Sequence, residues 1–154
     1  MTPPGLDYEM EACSKSFLGS IGSQMMAKAT EFCIGLHNKP GTLAKLCGAL
    51  RRAKVNIDAV SVSENAECCW VRMVASPAAT AKRVLGKARY HYCVQPVLTL
   101  PAHNRPGELE RVASRLAKAG VNINYVYGSN AKGGPSTLVL SVSDLKRAAS
   151  AVRA

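Results

Sequence analysis

The residues best suited to bind a ligand lie in one short turn, Asn-Lys-Pro-Gly-Thr, over residues 38–42. An apolar run typical of a buried strand precedes the turn, and a helical pattern follows it. The first N–H groups of a helix have no partner within the helix, and the helix dipole adds about half a positive charge there. Glycine lets a ligand approach the backbone closely. The turn therefore suits a carboxylate, although the same residues could merely shape a turn and cap a helix.

The same turn occurs twice. The segment His-Asn-Lys-Pro-Gly-Thr-Leu at 37–43 recurs 66 residues later as His-Asn-Arg-Pro-Gly-Glu-Leu at 103–109. The register continues without a gap, because Val-Asn-Ile at 55–57 returns at 121–123. A match of this density in one register indicates an internal duplication.

Each copy also carries a second asparagine 18 residues after the first: Asn56 follows Asn38, and Asn122 follows Asn104. An amide both donates and accepts hydrogen bonds. We expect the β-α-β connection to bring the end of the first strand beside the start of the second, so that both amides of a copy flank one small ligand. Alternatively, Asn56 and Asn122 form Asx turns between helix and strand, and the two roles are compatible.

The first copy predicts the element order β-α-β-β-α-β, and the second predicts the same order without the last strand. First strands are predicted at 32–36 and 97–100, later strands at 69–74 and 137–142, and a fourth strand at 90–94 closes the first copy. Second helices are predicted to begin near Ser76 and Ser143, each capped by that serine. This order predicts an α+β fold of two tandem ferredoxin-like units, each an antiparallel sheet with its helices on one face. Apolar residues at i, i+3, i+4 and i+7 predict the buried stripes of the first helices: Leu43, Leu46, Cys47 and Leu50, then Leu109, Val112, Ala113 and Leu116.

The chain divides into an extension at 1–26, a first unit at 27–95 and a second unit at 96–154. The second unit has no residues left for a fourth strand, so we expect an open edge beside its first strand. The first unit, the extension or a second chain could cover this edge. Two small units also bury little core singly, and we therefore predict a homodimer. The extension is expected to be mobile, or to reflect a start codon assigned too early, with translation from Met25 or Met26.

Composition narrows the functional classes. The chain is 47% hydrophobic with a net charge of +10, and basic residues interrupt its apolar stretches, which predicts a folded protein with no membrane span. Acidic residues near the start argue against a secretory signal and favour the cytoplasm. The six cysteines show no C-x-x-C spacing, so we expect reduced thiols and neither a metal nor another cofactor.

Two other functional classes fit the residues less well. Three histidines and ten acidic residues form no catalytic triad, carboxylate pair or phosphate-binding loop, so we predict that the protein is not an enzyme. A basic ferredoxin-like module for nucleic-acid or protein binding remains the alternative, because RNA-recognition modules share the element order. With two Phe and one Trp, however, the chain lacks the aromatic platform that stacks RNA bases, and specific nucleic-acid binding is not expected.

The repeated pattern Asn-Lys/Arg-Pro-Gly-x-Leu, followed in each copy by Val-Asn-Ile, resembles the signature of ACT domains, which are amino-acid-sensing modules of metabolic enzymes. The resemblance covers residues 29–152, and the chain is similar to small free-standing tandem ACT-domain proteins of bacteria. It implies a regulatory protein that binds a small amino-acid-like ligand between ACT domains and acts on a partner enzyme. The ligand-binding residues that it implies are Asn38, Gly41, Thr42, Leu43, Asn56 and Ile57 in the first copy and Asn104, Gly107, Glu108, Leu109, Asn122 and Ile123 in the second.

The two turns differ at one position that bears on ligand binding. Glu108 stands where the first copy has Thr42. A carboxylate in the first turn of a helix stabilises the helix through its dipole but repels an incoming carboxylate. We therefore predict that the first turn, at 38–43, is the better site.

Overall fold

The computed structural model describes residues 26–65, 68–129 and 136–153. Residues 1–25 of the extension predicted at 1–26 lie outside this range. The helices and strands follow in the order β1 (Ala27–His37), α1 (Thr42–Arg52), β2 (Asn56–Asn65), β3 (Cys68–Ser76), α2 (Ala78–Lys87), β4 (Tyr92–Ala102), α3 (Glu108–Lys118), β5 (Ile123–Ser129), β6 (Ser136–Val142) and α4 (Leu145–Arg153). The predicted α+β fold and its repeated element order are confirmed.

The two copies share one strand. The strands predicted separately at 90–94 and 97–100 form a single strand, β4, and a boundary between units at 95 and 96 falls inside it. The described strands consequently form one antiparallel sheet of six, in the order β2-β3-β1-β4-β6-β5, rather than two sheets. The first part of β4 completes the first copy against β1, and its second part pairs with β6 of the second copy.

The expected open edge of the second copy is covered by the first copy. Strand β1 begins at Ala27, earlier than predicted, and its first residues pair with the second half of β4: Ala27 lies opposite Thr99 and Ala29 opposite Val97. The open edge therefore no longer argues for a homodimer. That prediction now rests on the small core that each copy would bury singly.

Pro96 can occupy the middle of β4 because of its position in the ladders. Gly35 N donates to His91 O at 3.1 Å, so Gly35 and His91 form a hydrogen-bonded pair. Pairs of this type alternate along an antiparallel ladder, which points the nitrogen of Pro96 away from β1 and towards β6. Pairing with β6 begins only at Leu98, so the missing N–H of Pro96 costs no ladder bond.

The helices pack on one face of the sheet and build two cores. The first core contains Phe32, Ile34, Leu46, Leu50, Val71, Met73 and Leu85, and the second contains Leu98, Leu100, Val112, Leu116, Leu140 and Ala148. Alternate residues of β4 contribute to both, because Tyr92 packs against the first core and Leu98 and Leu100 lie in the second, so all four helices cover the same face. The helical stripes are only partly buried, because Leu43 is 39% exposed and Leu109 is 48% exposed.

The helix-free face of the sheet folds over and packs against itself. Ala59, Val74, Val97 and Val139, which come from four different strands, form a third buried cluster on this face. The outer strands β2 and β5 consequently approach each other although they are not paired. This cluster of four residues is called the seam below. It joins the two copies in addition to the shared strand β4.

A buried carboxylate lies in the seam. Glu31 of β1 is fully buried, and its Oε1 accepts a hydrogen bond from Tyr127 Oη at 2.7 Å. Its Oε2 accepts from Gln95 Nε2 at 2.6 Å and from the Tyr125 hydroxyl. The Arg72 guanidinium lies 4.8 Å from the centre of the Tyr125 ring. Burial, with the bond to Glu31, raises the pKa of both tyrosines, which therefore stay protonated as donors.

The second helix of each copy begins where predicted, but neither serine caps it. Pro77 precedes α2, and Ser76 Oγ donates instead to Asp58 Oδ1 at 3.0 Å. At α4 the cap is Asp144, whose Oδ1 accepts from the backbone N–H of Lys146 at 2.9 Å and of Arg147 at 3.0 Å. A carboxylate cap also complements the helix dipole, which favours Asp144 over Ser143.

Candidate functional site

The first turn has an open helix N-terminus. Gly41 precedes α1 with a φ of 85°, a left-handed conformation that glycine adopts without strain. Thr42 Oγ1 donates to the backbone oxygens of His37 at 3.0 Å and Lys39 at 2.9 Å, which closes the turn from within. Thr42 N–H donates to Lys39 O at 3.3 Å, and no side chain caps α1, so the N–H groups that follow Thr42 in the first turn of the helix face outward.

The second turn has the same backbone. Gly107 precedes α3 with a φ of 86°, and again no side chain caps the helix there. The residue that follows is Glu108, whose side chain is only 6% exposed. Arg111 donates to Glu108 Oε1 at 2.5 Å, and Arg105 Nε donates to Oε2 at 3.4 Å. His103 Nδ1 lies 3.9 Å from Oε1. The second turn therefore holds a carboxylate that belongs to the chain itself.

The charge of Glu108 is stabilised by its two arginines. The hydrogen bond from Arg111, with a further contribution from Arg105, lowers the pKa of Glu108 to about 2. The same hydrogen bond raises the pKa of Arg111. Glu108 is therefore ionised at neutral pH. Its repulsion of a second carboxylate, expected from the sequence, is consistent with this geometry.

The first turn has equivalent cations and no equivalent carboxylate. Lys39 and Lys45 occupy the positions of Arg105 and Arg111, because the two copies are offset by 66 residues. In the described parts of the chain, the two ion pairs with arginine and the contact from His103 all involve Glu108. The carboxylate that does contact the first turn, Glu64, accepts from Asn38 Nδ2 at 3.3 Å.

The predicted pairing of two asparagines around one ligand is wrong within a copy. Asn38 follows the end of β1 and bonds to Glu64, near the end of β2. Asn56 begins β2 and lies opposite Ser76, at the other end of the strand. The reason is that β1 and β2 run parallel, with β3 antiparallel between them. The helix returns the chain to the level where β1 began, so the start of β2 cannot meet the end of β1.

The second asparagines instead shape the start of each second strand. Asn56 Nδ2 donates to Asp58 Oδ1 at 2.7 Å, and Asn122 Nδ2 donates to Asn124 Oδ1 at 3.2 Å. Both bonds join two side chains, whereas the Asx turn expected as the alternative needs a bond to the backbone, so they do not bear that alternative out. The neighbouring residues Ile57 and Ile123 are partly buried against the first and second cores, respectively, while Asn104 is exposed.

The two turns lie at opposite ends of the molecule. One follows the last residue of β1 and the other follows the last residue of β4, and these strands are antiparallel. Their ladder runs from Ala27 to Ile34, on the order of 25 Å at the usual rise per residue. The described fold therefore does not bring the first turn and the second turn into one site.

A comparison with protein families gives one match over nearly the whole described chain. The family is described as an ACT domain pair, and its model matches residues 27–153. This chain belongs to the ACT domain pair family. The resemblance inferred from the two turns is confirmed. ACT domains are regulatory modules, and no catalytic family is indicated.

Solved structures of similar fold include protein BT0572 and two regulatory subunits of aspartate kinase. Protein BT0572 from Bacteroides thetaiotaomicron is 25% identical with a TM-score of 0.77, over 83% of this chain and 88% of that chain. The ligand-free regulatory subunit of aspartate kinase from Thermus thermophilus is 15% identical with a TM-score of 0.63, over 85% and 94%. The corresponding subunit from Thermus flavus is 14% identical with a TM-score of 0.57, over 84% and 94%. At these lower identities, the likeness to the two kinase subunits concerns the fold alone.

No curated protein matches the sequence significantly. Of the described helices, none has the length and apolar character needed to cross a membrane.

Sequence reasoning missed the partners of Glu108. Its spacing from Arg111 is i, i+3, which is a recognised helical ion-pair spacing and could have predicted the contact. The contact with Arg105 depends on the shape of the turn. The Glu31 cluster was missed entirely, because its members are separated by up to 96 residues.

Proposed function

We propose that this ACT domain pair is a non-catalytic regulatory protein that binds the carboxylate of a small amino-acid-like ligand at its first turn, residues 38–43. One observation carries the proposal. The second turn holds the Glu108 carboxylate between two arginines, whereas the first turn repeats the backbone and two cations with Thr42 in place of the glutamate. The second turn thus serves as an example of what this geometry can hold.

The first turn offers several kinds of contact to an anion. The outward N–H groups of α1 donate hydrogen bonds, and the helix dipole favours negative charge at this end. The exposed Lys39 and Lys45 supply charge, and hydrogen bonds to ionised groups are roughly twice as strong as neutral ones. Asn38 already donates to a carboxylate, that of Glu64, which a ligand carboxylate would have to displace or accept as a neighbour.

A second chain would complete the site. The first turn does not face the second copy of its own chain, and Leu43 leaves an apolar side chain 39% exposed beside it. The ACT resemblance implies a ligand held between two ACT domains. We therefore propose a homodimer in which another chain covers Leu43 and closes over the ligand.

We propose that ligand binding changes the activity of a partner enzyme. Aspartate kinase has regulatory subunits with a similar fold, which is consistent with a regulated partner for this chain. The pathway and the partner follow from the ligand, so the ligand is the first thing to identify.

The test is a thermal-shift screen of the full-length protein against the twenty amino acids. A ligand at 100 times its Kd stabilises the folded state by about 2.7 kcal/mol, which is readily measured. A hit that disappears in Thr42→Glu and persists in Glu108→Thr supports the first turn as the site. A hit that responds equally to both substitutions would contradict this assignment.

Light scattering or sedimentation at micromolar concentration tests the homodimer. We expect a mass twice that of the 16.3 kDa chain, at least with ligand present. A monomer both with and without ligand would contradict the dimer.

Nucleic-acid binding on the sheet is disfavoured by the fold. RNA-recognition modules stack bases on the helix-free face of their sheet. Here that face is folded against itself around Ala59, Val74, Val97 and Val139. We expect only weak, sequence-indifferent binding that falls steeply as salt is raised, which a filter-binding titration would check.

A further inference from the structure

Two cysteines face each other across the central strands of the sheet. Cys33 of β1 lies directly opposite Cys93 of β4 in the antiparallel register. Both side chains project from the helix-free face, because Phe32 and Ile34 on either side of Cys33 point into the first core. No local sequence pattern predicts this contact, since the two residues are 60 positions apart.

The spacing of the pair is suitable for a covalent bond. Gly35 and His91, two residues away along the same ladder, form a hydrogen-bonded pair, so Cys33 and Cys93 form another. In such a pair the Cα atoms are about 5.5 Å apart, which lies within the range of about 4.4–6.8 Å for disulfides. The Cβ atoms of such pairs stand slightly farther apart than a disulfide prefers, so the strands would have to draw together.

The two thiols differ in access. Cys93 is exposed, whereas Cys33 is partly buried. Burial, with the neighbouring Cys93 thiol, raises the pKa of Cys33 to about 11, so Cys33 is protonated at neutral pH. A reagent in solution therefore meets Cys93 first, and Cys33 is placed to react second.

We propose that Cys33 and Cys93 are a modification site, a dithiol that closes to a cross-strand disulfide on reaction with a small disulfide such as oxidised glutathione. The Cys93 thiolate attacks one sulfur of oxidised glutathione, forming a mixed disulfide and releasing the first glutathione thiolate. Cys33 then loses its proton, and its sulfur attacks the Cys93 sulfur, releasing the second glutathione. The protein dithiol is oxidised, and one oxidised glutathione is reduced to two thiols.

The position of the pair gives the bond a structural consequence. Cys33 is two residues from Glu31, and Cys93 is two residues from Gln95; Glu31 and Gln95 both hydrogen-bond to the Tyr125 hydroxyl across the seam. Drawing β1 and β4 together at the cysteines would shift these neighbours. The strain also makes the disulfide easier to reduce than an unstrained one, so the modification is reversible.

Peptide mapping of the full-length protein tests the proposal. The protein is incubated with oxidised glutathione, free thiols are blocked, and the tryptic peptides are identified by mass spectrometry. We expect a Cys33–Cys93 linkage that dithiothreitol removes. In Cys33→Ser the reaction should stop at a glutathione adduct on Cys93, whereas the matched control Cys47→Ser should form the linkage normally.

Fluorescence provides a readout that does not depend on the variants. The only tryptophan, Trp70, packs over Gly35 on the same face, where a Cβ would lie 3.4 Å from its ring. We expect its emission to change on oxidation and to recover on reduction. Cys33 and Cys93 remaining unlinked in the wild-type protein while other thiols react, or either one bonding to a different cysteine, would overturn the proposal.

Discussion

The first and second turns are two versions of one turn-to-helix geometry within the same chain. Both place a glycine with a φ near 85° before a helix, and both carry a basic residue before and after it. They differ because Glu108 places a carboxylate among the cations of the second turn, whereas Thr42 uses its hydroxyl to close the first turn. Duplication thus produced one turn whose arginines pair with Glu108 and one whose lysines form no ion pair within the described parts of the chain. The second turn therefore serves as an internal comparison for the effect of a carboxylate at this position.

The substitution Thr42→Glu should have the largest effect on this comparison. A glutamate at this position would meet Lys39 and Lys45 as Glu108 meets its arginines, and would occupy the place proposed for the ligand. We expect at least a 100-fold loss of affinity for the ligand found in the screen, measured by calorimetry. Thr42→Val, which removes the hydroxyl without adding charge, is the control, and an equal loss there would mean that turn closure rather than charge is decisive.

The reverse substitution, Glu108→Thr, should create a second anion site. It releases Arg105 and Arg111 and leaves the outward N–H groups of α3 open. We expect carboxylate binding to rise from one to two molecules per chain, with the new site about tenfold weaker because no dimer contact is proposed there. Calorimetric stoichiometry measures this, and Glu110→Thr, on the same helix, should leave it at one.

Lowering the pH should remove the difference in stability between the wild-type protein and the uncharged variant Glu108→Gln. Its pKa is lowered from 4.5 to about 2, so its ionisation contributes stability that is fully present above 4.5 and is lost as pH falls through about 2. We expect Glu108→Gln to be less stable than the wild-type protein at pH 7 and equally stable below pH 2. Denaturant unfolding across this range measures the difference, and a gap that is constant with pH would contradict the role of the charge.

Aspartate at the two glycines should cause only a small loss of stability, and it separates backbone strain from ligand binding. Gly41 and Gly107 have nearly equal φ, and an added Cβ meets nothing within 4 Å at either. Each substitution should therefore cost about 1 kcal/mol from the left-handed conformation, which for a chain of this size lowers the melting temperature by about 2–4 °C. Only Gly41→Asp should also abolish the ligand-induced thermal shift. If Gly107→Asp abolishes it too, both turns contribute to binding.

Local patterns predicted the local parts of this fold. The repeat, the helices that begin at Thr42 and Glu108 and the strands at 69–74 and 137–142 follow from periodicity and turn chemistry. The continuous strand β4 was missed because a proline usually ends a strand, and only the offset of the two ladders makes Pro96 acceptable. The predicted pairing of Asn38 with Asn56 was wrong because β1 and β2 run parallel. The end of β1 and the start of β2 therefore lie at opposite ends of the sheet.

Features that depend on long-range register could not be predicted. The contact of Glu31 with Tyr125 and Tyr127 requires the sheet to fold over, and no local pattern indicates that. The juxtaposition of Cys33 and Cys93 requires the alignment of β1 with β4. Within the candidate site, the charge difference at Glu108 was predictable from one residue, whereas the arrangement of its arginines required the structure.

The shared strand β4 makes the duplicated chain indivisible as a cooperative folding unit. Cutting the chain at 95 would remove from β1 the partners of Ala27–Ala29, and would leave the segment from 96 without the strand that covers Val97–Thr99. Neither piece would then close its own sheet, and the seam around Val74 and Val139 would be exposed in both. We therefore expect the two copies to fold and unfold together. An engineer who wishes to fuse this ACT domain pair to another protein should therefore keep residues 27–153 together.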